Sequence, residues 1–328
     1  MNLLVLGGNG LFGRKTVIQL TQDKDISVVI SMDVVPTKDW VLKEMGQQVK
    51  KFKSVRGDVS ELEDILTAIK QYAIDRIINF AFILPGETLE TNPRLGVRVN
   101  EMGMCNSFEA ARLMGISRLV YASSEGVYGP QGEYGDREVT EDDKMHPGSA
   151  YAIAKQLSEI LANQYHRLYG INFTALRPCI GYGHGGLTPL MIRHFCELVS
   201  LPAVGKPFSV EDDGTTTVSL SAADDVAALS IKLIKMPVSP HPAYNVGGPP
   251  TSMQDVAKVV RKYIPEAKIE FGKQSPPADR AQSGIPWIIS CALAKKDIDF
   301  SLLPLEKAVL LQINDARIEA GMPLIKGR

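Results

Sequence analysis

The sequence GGNGLFG, which contains Gly7, Gly10 and Gly13, is the feature that most constrains what this chain can fold into. It directly follows a short apolar run, Leu3–Leu6, and it opens a helical pattern over Leu11–Thr21. Glycines are needed where a chain turns sharply and where a phosphate approaches the backbone, and the following helix offers free N–H groups. The spacing predicts a loop that cradles the pyrophosphate of a dinucleotide, with an ordinary tight turn as the alternative.

Asp33 supports the dinucleotide interpretation because it ends the next predicted strand, Ile26–Met32. A carboxylate at that point accepts hydrogen bonds from the adenosine ribose and repels a 2′-phosphate, which favours NAD over NADP. Arg14, at the start of the first helix, is the counter-argument, since it could pair with such a phosphate. Asp58 follows the third predicted strand, Lys53–Arg56, and is either an adenine contact or the N-cap of the next helix.

Strands alternate with helices through the first half of the chain, which predicts βαβ units and an α/β fold with a doubly wound parallel sheet. After Arg177 the sequence becomes rich in Gly and Pro. We expect a nucleotide-binding domain over residues 1–177, to which segments around 215–248 return, and a smaller C-terminal substrate lobe formed mainly by residues 178–328. The other predicted strands are Arg76–Phe80, Leu119–Ser123, Asn172–Arg177 and Tyr244–Val246, and the other predicted helices are Glu61–Tyr72, Asn100–Met114, Tyr151–Tyr169, Leu190–Val199, Ala222–Lys235, Ser252–Tyr263 and Leu305–Ala320.

Composition excludes several classes of function. The 328 residues include 36 basic and 37 acidic side chains, and a net charge of −1 gives no reason to expect nucleic acid or an anionic membrane as partner. No apolar run is long enough to span a membrane, and the N-terminus does not resemble a signal peptide. The four cysteines are scattered and the five histidines form no ligand motif, so we expect no metal and a reducing, cytoplasmic location.

Tyr151 and Lys155 are separated by one turn of a predicted helix and therefore share a face. A tyrosine is a weak base at neutral pH, and a neighbouring ammonium group is expected to lower its pKa. Ser124 ends a predicted parallel strand, at the sheet edge where doubly wound folds bind ligands. The three side chains predict a proton-transfer site, although a Tyr–Lys pair alone is more often ordinary helix surface.

These motifs resemble the extended short-chain dehydrogenase/reductase family in order and spacing. The resemblance spans residues 1 to about 185, and it continues more loosely to Gly247. It implies a Rossmann domain, and a homodimer formed through the helices that contain Asn100 and Tyr151. The matching segments are GGNGLFG, Asp33, NFA (79–81), Asn100, YASSEGVYG (121–129), YAIAK (151–155) and LRP (176–178).

The resemblance also implies roles for individual residues. Ser124, Tyr151 and Lys155 match the catalytic residues of the family, and Lys155 is expected on the nicotinamide ribose as well. The expected cofactor contacts are Gly7, Gly10, Leu11, Phe12, Gly13, Asp33, Asp58, Val59, Ala81, Phe82, Asn100, Tyr151 and Lys155. The expected substrate contacts are Ile83, Ser124, Glu125, Cys179 and His184.

Three departures from the family pattern narrow the substrate. Sugar-nucleotide enzymes of the family commonly carry an asparagine at the position of Ile180. They also commonly carry an Arg-Asp pair at the positions of Val218 and Ser219. The side chains of isoleucine and valine cannot bind a diphosphate. A sugar-nucleotide substrate would therefore require Arg193 or Arg280 to supply the missing hydrogen-bond donors. Dehydratases of the family carry Asp-Glu after the catalytic hydroxyl, and here the pair is Glu125-Gly126. Because the second carboxylate is missing, a 4,6-dehydratase mechanism is disfavoured.

The sequence therefore predicts an NAD-dependent oxidoreductase that acts on a secondary alcohol or ketone of a small polar molecule. In this hypothesis Tyr151 takes the proton, Lys155 assists it and Ser124 positions the substrate oxygen. The main alternative is a sugar-nucleotide 4-epimerase that uses transient oxidation by NAD. A catalytically silent NAD-binding protein is a third hypothesis, and the complete set of three side chains disfavours it.

Overall fold

The structure is a computed structural model that describes residues 1–186, 189–274 and 284–327. The strands in these ranges are β1 (Asn2–Leu6), β2 (Val28–Asp33), β3 (Phe52–Arg56), β4 (Arg76–Asn79), β5 (Arg118–Ala122), β6 (Asn172–Pro178), β7 (Ile180–Tyr182), β8 (Phe208–Asp212), β9 (Thr217–Val218), β10 (Leu220–Ala222), β11 (Ala243–Val246), β12 (Thr251–Ser252) and β13 (Ile269–Gln274). The α-helices are α1 (Leu11–Gln22), α2 (Asp39–Met45), α3 (Leu62–Tyr72), α4 (Glu87–Thr91), α5 (Pro93–Gly96), α6 (Gly103–Leu113), α7 (Ala150–Tyr169), α8 (Leu190–Ala203), α9 (Ala223–Lys235), α10 (Met253–Tyr263), α11 (Ala292–Ile298) and α12 (Leu305–Glu319).

Seven strands form a central parallel sheet in the order β11-β6-β5-β4-β1-β2-β3. Successive side chains of a strand point to opposite faces, and both faces of this sheet are covered by helices. Leu3 and Val5 of β1 therefore join the core on the side of α1 and α9. Leu4 and Leu6 join the opposite core, which includes Phe108 of α6. The predicted doubly wound α/β fold is confirmed.

The sheet order reverses between β1 and β4, and the carboxyl ends of these strands form one edge. In such sheets a ligand binds in the crevice at the reversal point. The glycine loop follows β1, Asp33 ends β2, and Ala81 comes just after β4. Ser124 follows β5 and Cys179 follows β6, so most of the predicted site residues meet at this edge.

The helix predicted over Asn100–Met114 has a different beginning in the structure. A π-helical segment, Val97–Met102, leads into α6. This wider turn directs Asn100 inward, where the side chain is buried. Gly103 then allows close packing, because a Cβ atom there would lie 2.6 Å from Cγ2 of Val59. Single π-helical turns of this kind often occur beside functional sites.

The later segments form a smaller lobe around a third apolar core. Leu198 of α8, Val256 of α10 and Val309 of α12 are buried there, together with short two-stranded sheets. The lobe strands were absent from the sequence prediction because most have only two or three residues, too few to show a period. α9 and β11 belong to the central sheet layers, whereas the domain boundary at residue 177 stays a prediction.

A buried ion cluster connects the C-terminal helix to the first helix. Nζ of Lys15 lies 2.9 Å from a carboxylate oxygen of Asp315, and Glu44 and Asp224 lie 3.2 and 3.4 Å away. These carboxylates outweigh the effect of burial and keep the pKa of Lys15 above its ordinary value. Within the described ranges, no helix is long and apolar enough to cross a membrane.

Candidate active site

The glycine loop between β1 and α1 is tightly wound. Gly7 has a φ of +70°, in the left-handed region that glycine adopts without strain. A Cβ atom on Gly13 would lie 2.1 Å from the carbonyl oxygen of Gly7, so α1 approaches the loop too closely for any side chain. These two glycines shape the loop itself.

Gly10 has a different role because the space around it is open. It precedes α1, and no side chain caps the helix N-terminus there. Among the described residues outside its own chain neighbours, a Cβ atom on Gly10 would meet one atom within 4 Å, the carbonyl oxygen of Gly7 at 3.3 Å. The exposed backbone and the free N–H groups of the first turn therefore fit the pyrophosphate of NAD.

Asp33 lines a cavity of about 440 Å³ beside the glycine loop, which is called the Asp33 cavity below. Its Oδ2 accepts a hydrogen bond from the backbone N–H of Asn9 at 2.9 Å, and its Oδ1 accepts one from Val35 at 3.2 Å. The carboxylate is thus fixed at the strand end and fits an adenosine ribose. The cavity is also lined by Gly7, Gly10, Asp58, Val59, Ala81, Phe82 and Ile83.

Arg14 does not face this cavity. Its guanidinium group is buried and lies over the ring of Trp40, 5.8 Å from the ring centroid. Its Nη1 atom approaches Gly185 of the smaller lobe. Because Arg14 faces the lobe, the argument that it could hold a 2′-phosphate loses its structural basis.

Asp58 lines the cavity and also shapes the chain before α3. Its Oδ1 accepts a hydrogen bond from the backbone N–H of Ser60 at 2.9 Å. The N-cap of α3 is Glu61, so Asp58 forms a turn ahead of the helix and does not cap it directly. The predicted N-cap role of Asp58 is therefore wrong, and its contact with the adenine stays a prediction that fits its place in the cavity lining.

A second cavity, of about 150 Å³, contains the predicted catalytic residues and is called the catalytic cavity below. It shares the lining residues Gly10, Phe80 and Phe82 with the Asp33 cavity, so the two cavities adjoin and are together called the groove below. The sequence prediction missed Phe80 and Leu84 in its lining, since apolar residues that follow a strand carry no distinctive pattern. Its other lining residues include Leu11, Phe12, Gly13, Ser124, Tyr151, Lys155 and Cys179.

Lys155 is held firmly in the wall of the catalytic cavity. Its Nζ donates a hydrogen bond to the carbonyl oxygen of Ala122 at 2.6 Å and lies 3.4 Å from the centroid of the Phe82 ring. Burial lowers the pKa of Lys155 well below its ordinary value, although the charge of Glu159 opposes this effect. The amine therefore has a fixed position and a weakened preference for the charged form.

Tyr151 and Ser124 share a hydrogen bond. The ring of Tyr151 packs edge-on against Phe82, with 5.5 Å between the ring centroids. Burial raises the pKa of Tyr151 to about 12, while the Ser124 hydroxyl acts to lower it. We expected Lys155 to lower this pKa. The geometry does not produce that result, because burial disfavours the charged forms of both groups.

Glu125 lies beside the catalytic cavity and is not part of its lining. Only 2% of the residue is exposed. Burial raises the pKa of Glu125 well above its ordinary value, and a hydrogen bond from the Cys179 thiol acts in the opposite direction. Its Oε2 has no hydrogen-bond partner in the described part of the chain. The carboxyl group of Glu125 thus lies buried next to Tyr151 and Cys179, where its charged form is disfavoured.

Three predicted site residues lie elsewhere. Ile83 lines the Asp33 cavity and not the catalytic cavity. Asn100 is buried and exchanges two hydrogen bonds with the backbone of Ile83, at 2.7 and 3.0 Å, so it fixes the cavity wall from behind. His184 lies 3.2 Å from Ser200 and 2.6 Å from Glu319, because packing draws it towards the C-terminal helix.

The residues that depart from the sugar-nucleotide pattern are structural. Val218 is buried in the apolar core of the smaller lobe, and Ile180 packs against the same core. Ser219 donates a hydrogen bond to the carbonyl oxygen of Gly248 at 2.8 Å. Arg193 is paired with Glu197 on the surface of α8, and Arg280 lies outside the described residues.

Residues 3–247 match the model of the NAD dependent epimerase/dehydratase family. The chain is 30% identical over 280 residues to an uncharacterized protein of Methanocaldococcus jannaschii, which covers 82% of this chain and 83% of that protein. It is 27% identical over 240 residues to a UDP-glucuronate 4-epimerase of Thermodesulfobacterium geofontis, with 72% of each chain covered.

Solved structures share the fold over nearly the whole chain. A UDP-glucose 4-epimerase of Thermus thermophilus in complex with NAD has a TM-score of 0.78 and 21% identity, and covers 97% of this chain and 99% of its own. A GalE-like L-threonine dehydrogenase of Cupriavidus necator has a TM-score of 0.77 and 22% identity, with 95% and 99% covered. At these identities the likeness shows the fold alone.

Proposed function

The chain is therefore a member of the NAD-dependent epimerase/dehydratase family with NAD as its cofactor, and on that premise we propose that it oxidises a secondary alcohol, or reduces the ketone, of a small polar substrate. Ser124, Tyr151 and Lys155 are the proposed catalytic residues. The observation that carries the proposal is that the cavity lined by these three side chains adjoins the Asp33 cavity, with Gly10 in the lining of both.

The proposed mechanism assigns one task to each side chain. Bound NAD supplies a nicotinamide that accepts or returns a hydride. Ser124 orients the substrate oxygen, and the Tyr151 hydroxyl moves the proton at that oxygen. Because burial raises the pKa of Tyr151 to about 12, the hydroxyl is protonated at neutral pH and is suited to donate to a ketone. Lys155 fixes the cavity wall through its hydrogen bond to Ala122.

The charge of the catalytic cavity supports a small substrate. Among its described lining residues, Lys155 is the one with an ionisable side chain that can become a cation, and it is buried against Ala122 and Phe82. Ile180 and Val218, at the positions where sugar-nucleotide enzymes bind the diphosphate, pack in or against the lobe core. A diphosphate requires cationic or amide donors, and these positions supply none.

A sugar-nucleotide 4-epimerase is the second candidate. It is supported by the relatives and structural neighbours that carry this activity in their names. An epimerase uses the same proton-transfer residues and returns the hydride to the opposite face of the same carbon. The two candidates differ in a measurable way, because an epimerase releases no net NADH.

We expect the protein with NAD to form NADH from one class of small secondary alcohols. The test is a screen of hydroxy acids, sugar acids, amino alcohols and nucleotide sugars, which monitors NADH absorbance and identifies products by NMR. Net NADH formation from a small alcohol supports the proposal. Tight binding and inversion of a UDP-sugar without net NADH favours the epimerase, and absence of any turnover by a protein that binds NAD favours the silent protein.

We also propose that the protein is a cytoplasmic homodimer formed through α6 and α7. Four free cysteines support a reducing compartment. Ile153, Leu157 and Ile160 of α7 are 53%, 38% and 57% exposed and lie on one face of the helix, and Met102 before α6 is also exposed. Sedimentation is expected to show a dimer for the wild type and a monomer for Ile160→Glu. A monomeric wild type contradicts the proposal.

A further inference from the structure

A third cavity, of about 400 Å³, lies apart from the groove and is called the rear cavity below. It is formed by α7, the beginning of β6, the loop that contains Glu141 and the segment before β11. No residue that lines it also lines the catalytic cavity or the Asp33 cavity. Any ligand in it would therefore be neither the cofactor nor the proposed substrate.

The hydroxyl group of Tyr121 is available for hydrogen bonding at this site. The residue lines the rear cavity and is only 2% exposed. In the described ranges no hydrogen-bond partner of its hydroxyl group is found, although the charges of Glu159 and Arg177 act on its pKa. The hydroxyl oxygen is not among the enclosed polar atoms that lack a partner, so it is open to the space of the cavity and can pair with a ligand there.

The charges around the rear cavity favour a cation. Arg177 lines it, but its Nε and Nη2 are bound to the two carboxylate oxygens of Glu159 at 3.0 and 2.7 Å. Its Nη1 is bound to Tyr128 and to the carbonyl oxygen of Glu141. This pair is neutral, and the exposed Asp142 lies 3.3 Å from Nε2 of His241, which also lines the cavity. The acidic group left for a ligand is therefore the buried Glu141 carboxyl, whose Oε1 accepts a hydrogen bond from the N–H of Asn245 and whose pKa is raised by burial.

The other side chains of the cavity include His166 and two apolar residues. Nδ1 of His166 lies 2.9 Å from the carbonyl oxygen of Ile171. A carbonyl oxygen can only accept, so Nδ1 carries a proton and donates this hydrogen bond. Phe173 and Met145 add apolar surface. A ligand that donates several hydrogen bonds and carries a short alkyl chain matches this lining.

We propose that the rear cavity binds a small primary ammonium compound. Its –NH₃⁺ group donates to Tyr121 and Glu141, near the Glu159 carboxylate, and its alkyl chain packs on Phe173 and Met145. An ammonium group has three donors and no acceptor, which matches the Tyr121 hydroxyl and the buried Glu141 carboxyl group. A carboxylate or phosphate ligand would face Glu141 and Asp142 with Arg177 already paired.

Occupation of the rear cavity is expected to affect catalysis through Glu159. This carboxylate accepts a hydrogen bond from Ser123, next to Ser124, at 2.5 Å. It also lies one helical turn from Lys155 and favours the charged form of that amine. A bound ammonium group weakens this support, so the compound is an inhibitor. This consequence rests on the proposed function, whereas the binding itself does not.

The test is calorimetric titration of the NAD-loaded protein with n-butylamine at neutral pH. Its matched neutral and anionic probes are n-butanol and butyrate. We expect butylamine to bind and the two other probes not to bind. Tyr121→Phe, which keeps the ring, and Glu141→Gln are each expected to weaken binding about 3- to 10-fold. Tyr165→Phe is the control, because it removes a tyrosine hydroxyl that lies outside the cavity.

The outcomes separate the rear cavity from the active site. Tyr151→Phe is expected to bind butylamine like the wild type, even if the proposed function fails. Loss of binding in Tyr151→Phe, equal binding of butanol, or no effect of either Tyr121→Phe or Glu141→Gln would overturn the proposal. Absence of butylamine binding to the wild type would overturn it as well.

Discussion

Tyr151→Phe is expected to lower turnover of the substrate by about 10²- to 10⁴-fold while NAD still binds. The substitution removes the hydroxyl that shares a hydrogen bond with Ser124. It keeps the ring that packs against Phe82 at 5.5 Å, so the groove retains its shape. The measurement is kcat for the substrate identified by the screen, together with calorimetric binding of NAD.

The wild-type pH profile provides an independent check of this assignment. Burial raises the pKa of Tyr151 to about 12, so the fraction of its hydroxyl that is deprotonated keeps increasing as the pH rises above neutral. Alcohol oxidation is therefore expected to accelerate with increasing pH, and ketone reduction to persist at neutral pH. Tyr169→Phe, on the exposed end of α7, is the control and should retain full activity. Unchanged turnover in Tyr151→Phe means that Tyr151 is not the proton-transfer residue.

The sequence was most informative where chemistry requires a particular residue at a particular place. Gly7 and Gly13 could be predicted because no side chain fits at these positions of the loop. Asp33 could be predicted because it comes directly after an apolar run that predicts a strand, and the end of that strand lies at the sheet edge. The resemblance to extended short-chain dehydrogenases/reductases is confirmed, and residues 3–247 match the model of the NAD-dependent family.

The sequence was least informative where long-range packing decides the direction of a side chain. Arg14 follows the glycine loop directly, yet it turns away to contact Trp40. His184 is drawn to Glu319, which lies far along the chain on α12. Neither Trp40 nor Glu319 belongs to a recognisable motif, so the local sequence cannot show these contacts.

Burial is the second quantity that the sequence did not provide. The Tyr–Lys spacing predicted a tyrosine with a lowered pKa, because two neighbouring residues were considered without their surroundings. In the structure Phe82 and the Ala122 carbonyl enclose Lys155. Burial then raises the pKa of Tyr151, with the charge of Glu125 acting in the same direction, and at Lys155 it outweighs the charge of Glu159. Glu125 shows the same effect, since burial raises its pKa well above the ordinary value.

Gly10→Ala is expected to weaken NAD binding by about 100-fold, or about 2.7 kcal/mol, with little loss of stability. Gly10 has φ −70° and ψ 178°, which alanine adopts without strain. The added methyl group enters the space shared by the Asp33 and catalytic cavities, where the pyrophosphate is expected. The measurements are the calorimetric Kd for NAD and the Tm of the NAD-free protein.

Two further glycines make this experiment specific. Gly148→Ala places a methyl group in open space and should change neither the Kd for NAD nor the Tm. Gly13→Ala places one 2.1 Å from the Gly7 carbonyl oxygen and should lower the stability of the NAD-free protein by about 1–3 kcal/mol. If Gly10→Ala bound NAD as tightly as Gly148→Ala, the pyrophosphate would not lie against the loop. If it lost stability as Gly13→Ala does, Gly10 would serve the fold and not the cofactor.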